Sequence, residues 1–279
     1  MSLPSYFLSP QQLWSLIGTA QAPVILDCRR RAIYDAGQGV IPTAMWREPE
    51  TFADWVPTLS ANRPIVVTCR YGHQLSQMVA ADLRQRGIAA QVLEGGHQAW
   101  TDAGLPQVKK AALQRFAPEF PSLWVTRRRP KIDRVACPWL IRRFIDADAR
   151  ILYVDPPEVA NTAQETGAIP FDIEGIEISH EGERCSFDTM LRLFGLESDP
   201  HLARLALIVR GADTARYDLA PEAAGLHAVS LGLSALAGDD DHGMLERGFV
   251  VYDALFAWAR HAAGERHNWP AKSAEKVAQ

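Results

Sequence analysis

Short apolar runs alternate with amphipathic stretches through the first hundred residues. The runs are brief and rich in β-branched side chains, which predicts strands buried on both faces, over residues 23–29, 64–68 and 90–93. Apolar residues at helical spacing predict helices between and after them, over residues 9–17, 52–56, 75–86 and 97–103. This alternation predicts an α/β fold, with a parallel sheet flanked by helices.

The pattern changes beyond residue 122. Helical spacing dominates there, over residues 203–209, 221–236 and 244–260, and shorter strand-like runs occupy residues 150–154 and 176–178. Prolines between residues 106 and 121 separate the two patterns. We therefore expect a first domain over residues 1–108, a linker over 109–122, a mainly helical α+β domain over 123–262 and a flexible polar tail over 263–279.

Composition is that of an ordinary globular protein, with 47% hydrophobic and 22% charged residues in a chain of 279. Residues 1–108 carry 8 basic and 8 acidic side chains, which leaves 21 and 25 for the rest. This balance makes DNA an unexpected partner. The start of the chain has no signal-peptide pattern, and no apolar stretch is long enough to span a bilayer, so no membrane association is expected.

Four cysteines, at positions 28, 69, 137 and 185, form no C-x-x-C pair and are too sparse for a disulfide scaffold. A reducing cytoplasmic setting is expected. Cys69 stands out because it follows the apolar run 64–68 and precedes a helix. A thiol between a strand end and a helix N-terminus gains a positive environment, which favours a nucleophile over the alternative of a small buried apolar residue.

Three motifs around this cysteine resemble those of rhodanese domains. They are YDAGQGVIPTA at residues 34–44, the loop after Cys69, and LEGGHQAWTDAGLP at residues 93–106. The resemblance implies a sulfurtransferase in which Cys69 takes sulfur from a small sulfane sulfur donor, holds it as a persulfide and passes it to a thiol or cyanide-like acceptor. It implies no required cofactor, and it places substrate-binding residues in the loop of Arg70, Tyr71, Gly72, His73 and Gln74.

The loop departs from the usual pattern at two positions. Many rhodaneses carry arginine where this chain has Gln74, so a charge-assisted contact to thiosulfate is missing there, and Arg70 could partly replace it. Phosphatases of this fold need arginine where this chain has Leu75, which disfavours phosphoryl chemistry. His73 has two open readings, a proton donor or orienter and an exposed loop contact.

The second half begins with a basic segment. Seven basic residues between positions 127 and 143 accompany a single acid, Asp133, and a solvated basic face is one reading of them. Lys131, Arg134 and Cys137 follow one another at intervals of three, so on a helix they lie close together. They are the candidate residues of an anion site with an oxyanion as its ligand.

This half resembles the C-terminal domain of ChrB-type chromate-resistance proteins. The similar segments are residues 123–145, 171–175, 178–180, 185–188, 210–213, 225–228 and 246–255. The resemblance implies a link to chromate response. Family regulators carry a different N-terminal region thought to act in transcription, so DNA binding is not carried over to this chain.

Three residues of the second half are candidate metal ligands, His180, Asp213 and His227, because imidazole and carboxylate suit zinc, iron or manganese. Structural hydrogen bonding is the alternative for each histidine. Cys137 and Cys185 are expected in the core rather than as reactive thiols. Two functions follow: a persulfide-forming sulfurtransferase linked to chromate resistance, and a chromate or redox sensor that regulates a partner through the second domain.

Overall fold

The strands of the protein are short. A computed structural model describes residues 5–59 and 63–265. The strands are β1 (Phe7–Leu8), β2 (Val24–Asp27), β3 (Gly39–Val40), β4 (Met45–Trp46), β5 (Ile65–Thr68), β6 (Ala90–Leu93), β7 (Val108–Lys109), β8 (Leu123–Arg127), β9 (Arg150–Val154) and β10 (Ile169–Pro170).

Helices occupy both halves of the chain and dominate the second. They are α1 (Pro10–Leu16), α2 (Arg31–Ala36), α3 (Phe52–Trp55), α4 (Gln74–Gln85), α5 (Gly96–Asp102), α6 (Lys110–Phe116), α7 (Ile132–Leu140), α8 (Val159–Thr166), α9 (Ser186–Phe194), α10 (Pro200–Asp213), α11 (Ala223–Ala237) and α12 (Asp241–His261). A π-helical turn, Ile141–Ile145, continues α7.

The first half is built on a parallel sheet with the strand order β1-β6-β5-β2-β4. The central strand β5 pairs with β2 on one side and with β6 on the other. Val66 of β5 packs into one apolar cluster, whereas its neighbours Ile65 and Val67 pack into another. Alternate side chains point to opposite faces of a strand, so both faces of the sheet are covered. The α/β fold predicted from the apolar runs is confirmed.

The segment predicted as a linker, residues 109–122, is folded instead. It contains α6, and β7 pairs antiparallel with β3. Lys110 is buried, and its Nζ donates to the carbonyl oxygens of Tyr34 and Asp35 at 2.6 Å each. The lysine stem and the apolar side of α6 therefore pack on the first half. The prolines in the sequence had indicated a linker instead.

The second half places a small parallel sheet, in the order β10-β8-β9, beside its helices. Helices α10, α11 and α12 correspond to the three helical segments predicted there; α10 and α12 extend beyond the prediction at both ends, and α11 is shifted by one or two residues. The strand predicted over residues 176–178 is wrong, because the chain bends through this segment after Gly175, whose φ is +84°. A backbone in that region leaves the extended conformation a strand requires.

One apolar cluster joins the two halves. It includes Leu13 and Trp100 from the first half and Trp139, Phe144 and Phe256 from the second, each fully buried. The Trp14 and Phe144 rings lie 6.3 Å apart. Since the same cluster fills the space on both sides of the boundary, neither half buries its apolar face alone.

Polar contacts cross the same boundary. Arg260 of α12 donates through Nη1 to the carbonyl oxygens of Trp14 and Ile17, at 3.2 and 2.9 Å. The backbone N–H of Thr43 donates to the carbonyl of Phe144 at 3.1 Å. Of the predicted tail, residues 266–279 lie outside the described residues. Within residues 5–59 and 63–265, helices long and apolar enough to cross a bilayer are absent.

Candidate functional site

Cys69 follows the last residue of β5, at the carboxyl edge of the parallel sheet. This edge is where open α/β sheets bind ligands. The thiol is 6% exposed, and its Sγ lies 3.2 Å from Oγ of Ser76, in the first turn of α4. Helix α4 begins at Gln74 and runs for 12 residues, so its unpaired N–H groups and positive dipole end lie beside the cysteine loop.

Two glycines allow the cysteine loop to meet the turn that follows β6. Gly72 and Gly96 have φ values of +68° and +61°. A Cβ at Gly96 would lie 2.4 Å from both the carbonyl oxygen of Cys69 and the nitrogen of Gly72. The N–H groups of His97 and Gln98 donate to the carbonyls of Cys69 and Arg70, both at 2.9 Å. Two motifs far apart in sequence therefore form one site.

The loop surrounds a pocket of about 450 Å³. Five of its nine lining residues were predicted from the sequence as site residues. The lining is Arg29, Arg30, Ile33, Cys69, Arg70, Tyr71, His73, Gln74 and Leu75. Gly72, also predicted, is buried against the turn after β6 and does not line the pocket. Sequence reasoning missed Arg29, Arg30 and Ile33. The sequence could have indicated them, because they follow the predicted strand β2, and the carboxyl end of β2 neighbours that of β5.

The pocket is basic. The guanidinium of Arg29 is buried and held by the Asp27 carboxylate, with Nη2 and Oδ2 2.6 Å apart. The side chains of Arg30 and Arg70 are exposed and form no ion pair within the described parts of the chain. Arg70 lies over the Tyr71 ring, at 4.8 Å from its centroid. Two unpaired guanidinium groups beside a thiol suit an anionic ligand that presents a sulfur or oxygen atom to Cys69.

The other three cysteines are core residues, as predicted for Cys137 and Cys185. Cys28, Cys137 and Cys185 are fully buried. Burial raises the pKa of each thiol, and the charge of Asp27 adds to the rise at Cys28 while that of Asp133 adds to it at Cys137 and Cys185. Thiols held in the protonated form are poor nucleophiles. Cys69 is the cysteine that lines a pocket.

The structure does not bring together Lys131, Arg134 and Cys137, the residues predicted to form an anion site. Helix α7 begins after Lys131, so the helical spacing does not include that residue. Cys137 faces the core, and Arg134 turns to Asp172, with 3.4 Å between Nε and Oδ2. Intervals of three bring side chains together only where all three residues are helical, and here one lies outside the helix.

The fold brings together two of the three predicted metal ligands and places the third elsewhere. His180 and Asp213 meet, with 3.2 Å between Nε2 and Oδ2. His227 lies on α11, where its Nδ1 is hydrogen-bonded to the Tyr217 hydroxyl, so its inclusion was wrong. Asp133 takes its place, and one donor atom from each of Asp133, His180 and Asp213 lies within 4.8 Å of the others. Asp133 was missed as a ligand because it was noted only as the single acid of the basic segment.

Comparison with known proteins follows the same division of the chain. A model of the rhodanese-like domain matches residues 9–103, and a model of the ChrB C-terminal domain matches residues 124–259. Protein ChrB of Cupriavidus metallidurans is 39% identical over 133 residues, which are 48% of this chain and 39% of that protein. The chain thus spans well under two thirds of the length of this relative.

Solved structures resemble the first half. A rhodanese-like domain protein from Staphylococcus aureus is 27% identical over 36% of this chain and 95% of its own, with a TM-score of 0.32. A rhodanese-related protein from Thermoplasma volcanium is 23% identical over 38% of this chain and 98% of its own, with a TM-score of 0.33. The chain therefore contains a region that matches the rhodanese-like domain, residues 9–103, followed by a region that matches the ChrB C-terminal domain, residues 124–259.

Proposed function

We propose that the protein is a sulfurtransferase that forms a persulfide at Cys69. One observation carries this proposal: Cys69 lines a basic pocket of about 450 Å³ at the carboxyl edge of the sheet, beside the N-terminus of α4. Free N–H groups and a positive dipole end stabilise an anionic sulfur, whether thiolate or persulfide. The other three cysteines are fully buried, including Cys185, which caps the N-terminus of α9.

In the first step, the Cys69 thiolate attacks the outer sulfur of an anionic sulfane sulfur donor. A sulfur–sulfur bond forms at Cys69, and the bond between the outer sulfur and the rest of the donor breaks. With thiosulfate the leaving group is sulfite, which takes the bonding electron pair. Arg30 and Arg70 are placed to bind the donor and to stabilise the charge that collects on the leaving group.

In the second step, the acceptor attacks the terminal sulfur of the persulfide. The Cys69–sulfur bond breaks and the thiolate returns with the electron pair, so atoms and charge balance without a metal or a redox partner. A thiol acceptor becomes a persulfide, and cyanide becomes thiocyanate. The Ser76 hydroxyl, 3.2 Å from Sγ, is placed to hydrogen-bond to sulfur in both steps. A reducing cytoplasm would keep the thiols in the form required.

Arg30 also changes the expected choice of donor. The neutral Gln74 removes one charge from the loop, but Arg30 reaches the pocket from the segment after β2. Two guanidinium groups are enough to contact a dianion on two sides. We therefore infer that thiosulfate binds, although through a different arrangement of charges from that of the usual loop.

Intact-protein mass spectrometry tests the proposal. The full chain, reduced and then desalted, is incubated with thiosulfate or with mercaptopyruvate. The intact mass should rise by one sulfur atom, about 32 Da, and digestion should locate that sulfur on the peptide that contains Cys69. Cyanide should remove it and yield thiocyanate. Cys69→Ser should gain no sulfur, and Cys28→Ser should behave as the wild type. A native chain left unmodified by both donors would contradict the proposal.

A second candidate function is a chromate or redox sensor, and the shared core supports it. The turn that carries His97 contacts the cysteine loop, and Trp100 of the same helix packs with Trp14, which contacts Phe144 of the second half. Contacting side chains thus connect Cys69 to the ChrB domain, so a structural change at Cys69 can affect that domain. The similarity of this half to ChrB is what suggests a response to chromate. Partner or operator binding that responds to chromate in the wild type and loses that response in Cys69→Ser, in a protein that gains no sulfur from either donor, would favour this function over sulfur transfer.

A further inference from the structure

Three side chains from separate elements of the second half converge on one point. Asp133 comes from the first turn of α7, His180 from the loop before α9, and Asp213 from the end of α10. Nε2 of His180 lies 3.6 Å from Oδ2 of Asp133 and 3.2 Å from Oδ2 of Asp213. Donor atoms held 2.0–2.2 Å from one tetrahedral ion lie about 3.4 Å apart, so this spacing suits ligands of a common cation.

The negative charge at this point has too few cationic partners. The nearby arginines pair with other carboxylates: Arg127 and Arg134 with Asp172, and Arg210 with Asp188. That leaves His180 as the partner that the described residues provide for both Asp133 and Asp213. Even a fully protonated imidazole would balance only one of the two carboxylates.

Asp133 provides an independent sign of a missing ligand. The residue is only 2% exposed, and its Oδ1 is buried without a hydrogen-bond partner among the described residues. Its Oδ2 accepts the N–H of Ser186 at 2.6 Å. A buried carboxylate with an empty acceptor is costly unless a charge reaches it.

The site is open to solvent on one side. His180 is 44% exposed and lines a cavity of about 310 Å³ together with Arg127, Asp172 and Ser179. A cation could enter through this cavity, and the open side would leave coordination positions for water or a small ligand. Three protein ligands with an open position are typical of catalytic rather than structural metal sites.

We propose that Asp133, His180 and Asp213 bind one divalent first-row transition metal ion in the ChrB domain. One imidazole and two carboxylates, with no thiolate, are a donor set for zinc, manganese or iron(II) rather than for a soft cation. The Ser186 N–H on Asp133 would orient that ligand as outer-shell hydrogen bonds do. Ser186 Oγ in turn donates to Asp172 at 2.8 Å, which fixes the wall of the cavity.

Metal binding to the untagged full chain tests this site. The protein is stripped with a chelator, mixed with Zn²⁺ or Mn²⁺ alone, passed through a desalting column and measured for metal, and titrations give the dissociation constant. We expect one equivalent of metal in the wild type. His180→Gln and Asp213→Asn should each raise the dissociation constant by about 100-fold or more, since a lost ligand exceeds the 10–100-fold cost of a lost outer-shell partner.

His227→Gln is the matched control, because it removes an imidazole of the same half outside the site and should leave binding unchanged. Cys69→Ser should also retain the metal, which separates this site from binding at the reactive thiol. His180 is partly exposed, so its replacement should leave the fold intact, and circular dichroism checks this. No metal in the folded wild type, or equal loss in His180→Gln and His227→Gln, would overturn the proposal.

Discussion

Gly96→Ala tests whether the contact between the cysteine loop and the turn after β6 positions Cys69. Gly96 has φ +61°, and a Cβ there would lie 2.4 Å from two backbone atoms, the Cys69 oxygen and the Gly72 nitrogen. Gly104, at the end of the same motif, has φ +63° and nothing within 4 Å of its Cβ position. Gly104→Ala therefore matches the backbone conformation without the collision.

The structure gives the expected difference in stability loss between the two substitutions. An alanine in the left-handed region lowers the free energy of unfolding by about 1 kcal/mol, and this loss applies to both variants. Ordinary contact begins at 3.4 Å, so in Gly96→Ala the two segments must separate by about 1 Å. That separation breaks the hydrogen bonds from His97 and Gln98, at about 1 kcal/mol each. We expect losses of about 3 kcal/mol for Gly96→Ala and about 1 kcal/mol for Gly104→Ala.

Urea unfolding measures the stability difference, and the rate of persulfide formation measures its effect on Cys69. A displacement of 1 Å at the reacting atom can lower a rate by about 100-fold, so Gly96→Ala should lose most of its sulfur uptake while Gly104→Ala keeps it. Equal stability losses and equal rates in the two variants would refute the reasoning, because the contact would then be dispensable.

Three further predictions follow from the charges and the shared core. Arg30→Ala and Arg70→Ala should each raise KM for thiosulfate by about tenfold. Arg31→Ala should not, because the Arg31 side chain stacks on Trp46 outside the pocket. Equal effects of all three substitutions would contradict the assignment of Arg30 and Arg70 to donor binding. Burial, then the charge of Arg29, lowers the pKa of His97 below 6.5, so its contribution to stability is present above pH 6.5 and lost as pH falls through the lowered value. Urea midpoints of His97→Gln should therefore decline less than those of the wild type between pH 7 and 5, and parallel curves would argue against this. Phe144→Ala should destabilise the chain by about 3–5 kcal/mol while fluorescence and circular dichroism still report one transition; separate transitions of the halves in the wild type would show that the core is not shared.

The sequence was most informative where a local pattern determines a local structure. Val66 and Val67 lie in a run whose apolar residues have no polar alternation, and that pattern predicts a doubly covered strand. Cys69, placed between that strand and a helix, could be identified as the candidate nucleophile from the same local signals. The rest of the loop followed from its resemblance to rhodaneses.

Local spacing failed where a residue's partner lies far away in sequence. Arg30 reaches the pocket because β2 and β5 are neighbours in the sheet, although 39 positions separate Arg30 from Cys69. In the second half, spacing suggested that Lys131, Arg134 and Cys137 share a face, but the helix starts too late to include the first of them. His227 was grouped with His180 by residue type alone, and its real partner is Tyr217.

By itself, the sequence determined β2, β5 and β6 with the helices α1, α3, α4 and α5, the place of the candidate nucleophile and the presence of two different domains, since each depends on patterns or motifs along the chain. Only the tertiary structure decided that both halves share one apolar core and that Asp133 joins His180 and Asp213. The physical reason is that burial and charge pairing depend on distances between elements, and sequence spacing describes distances only within one element.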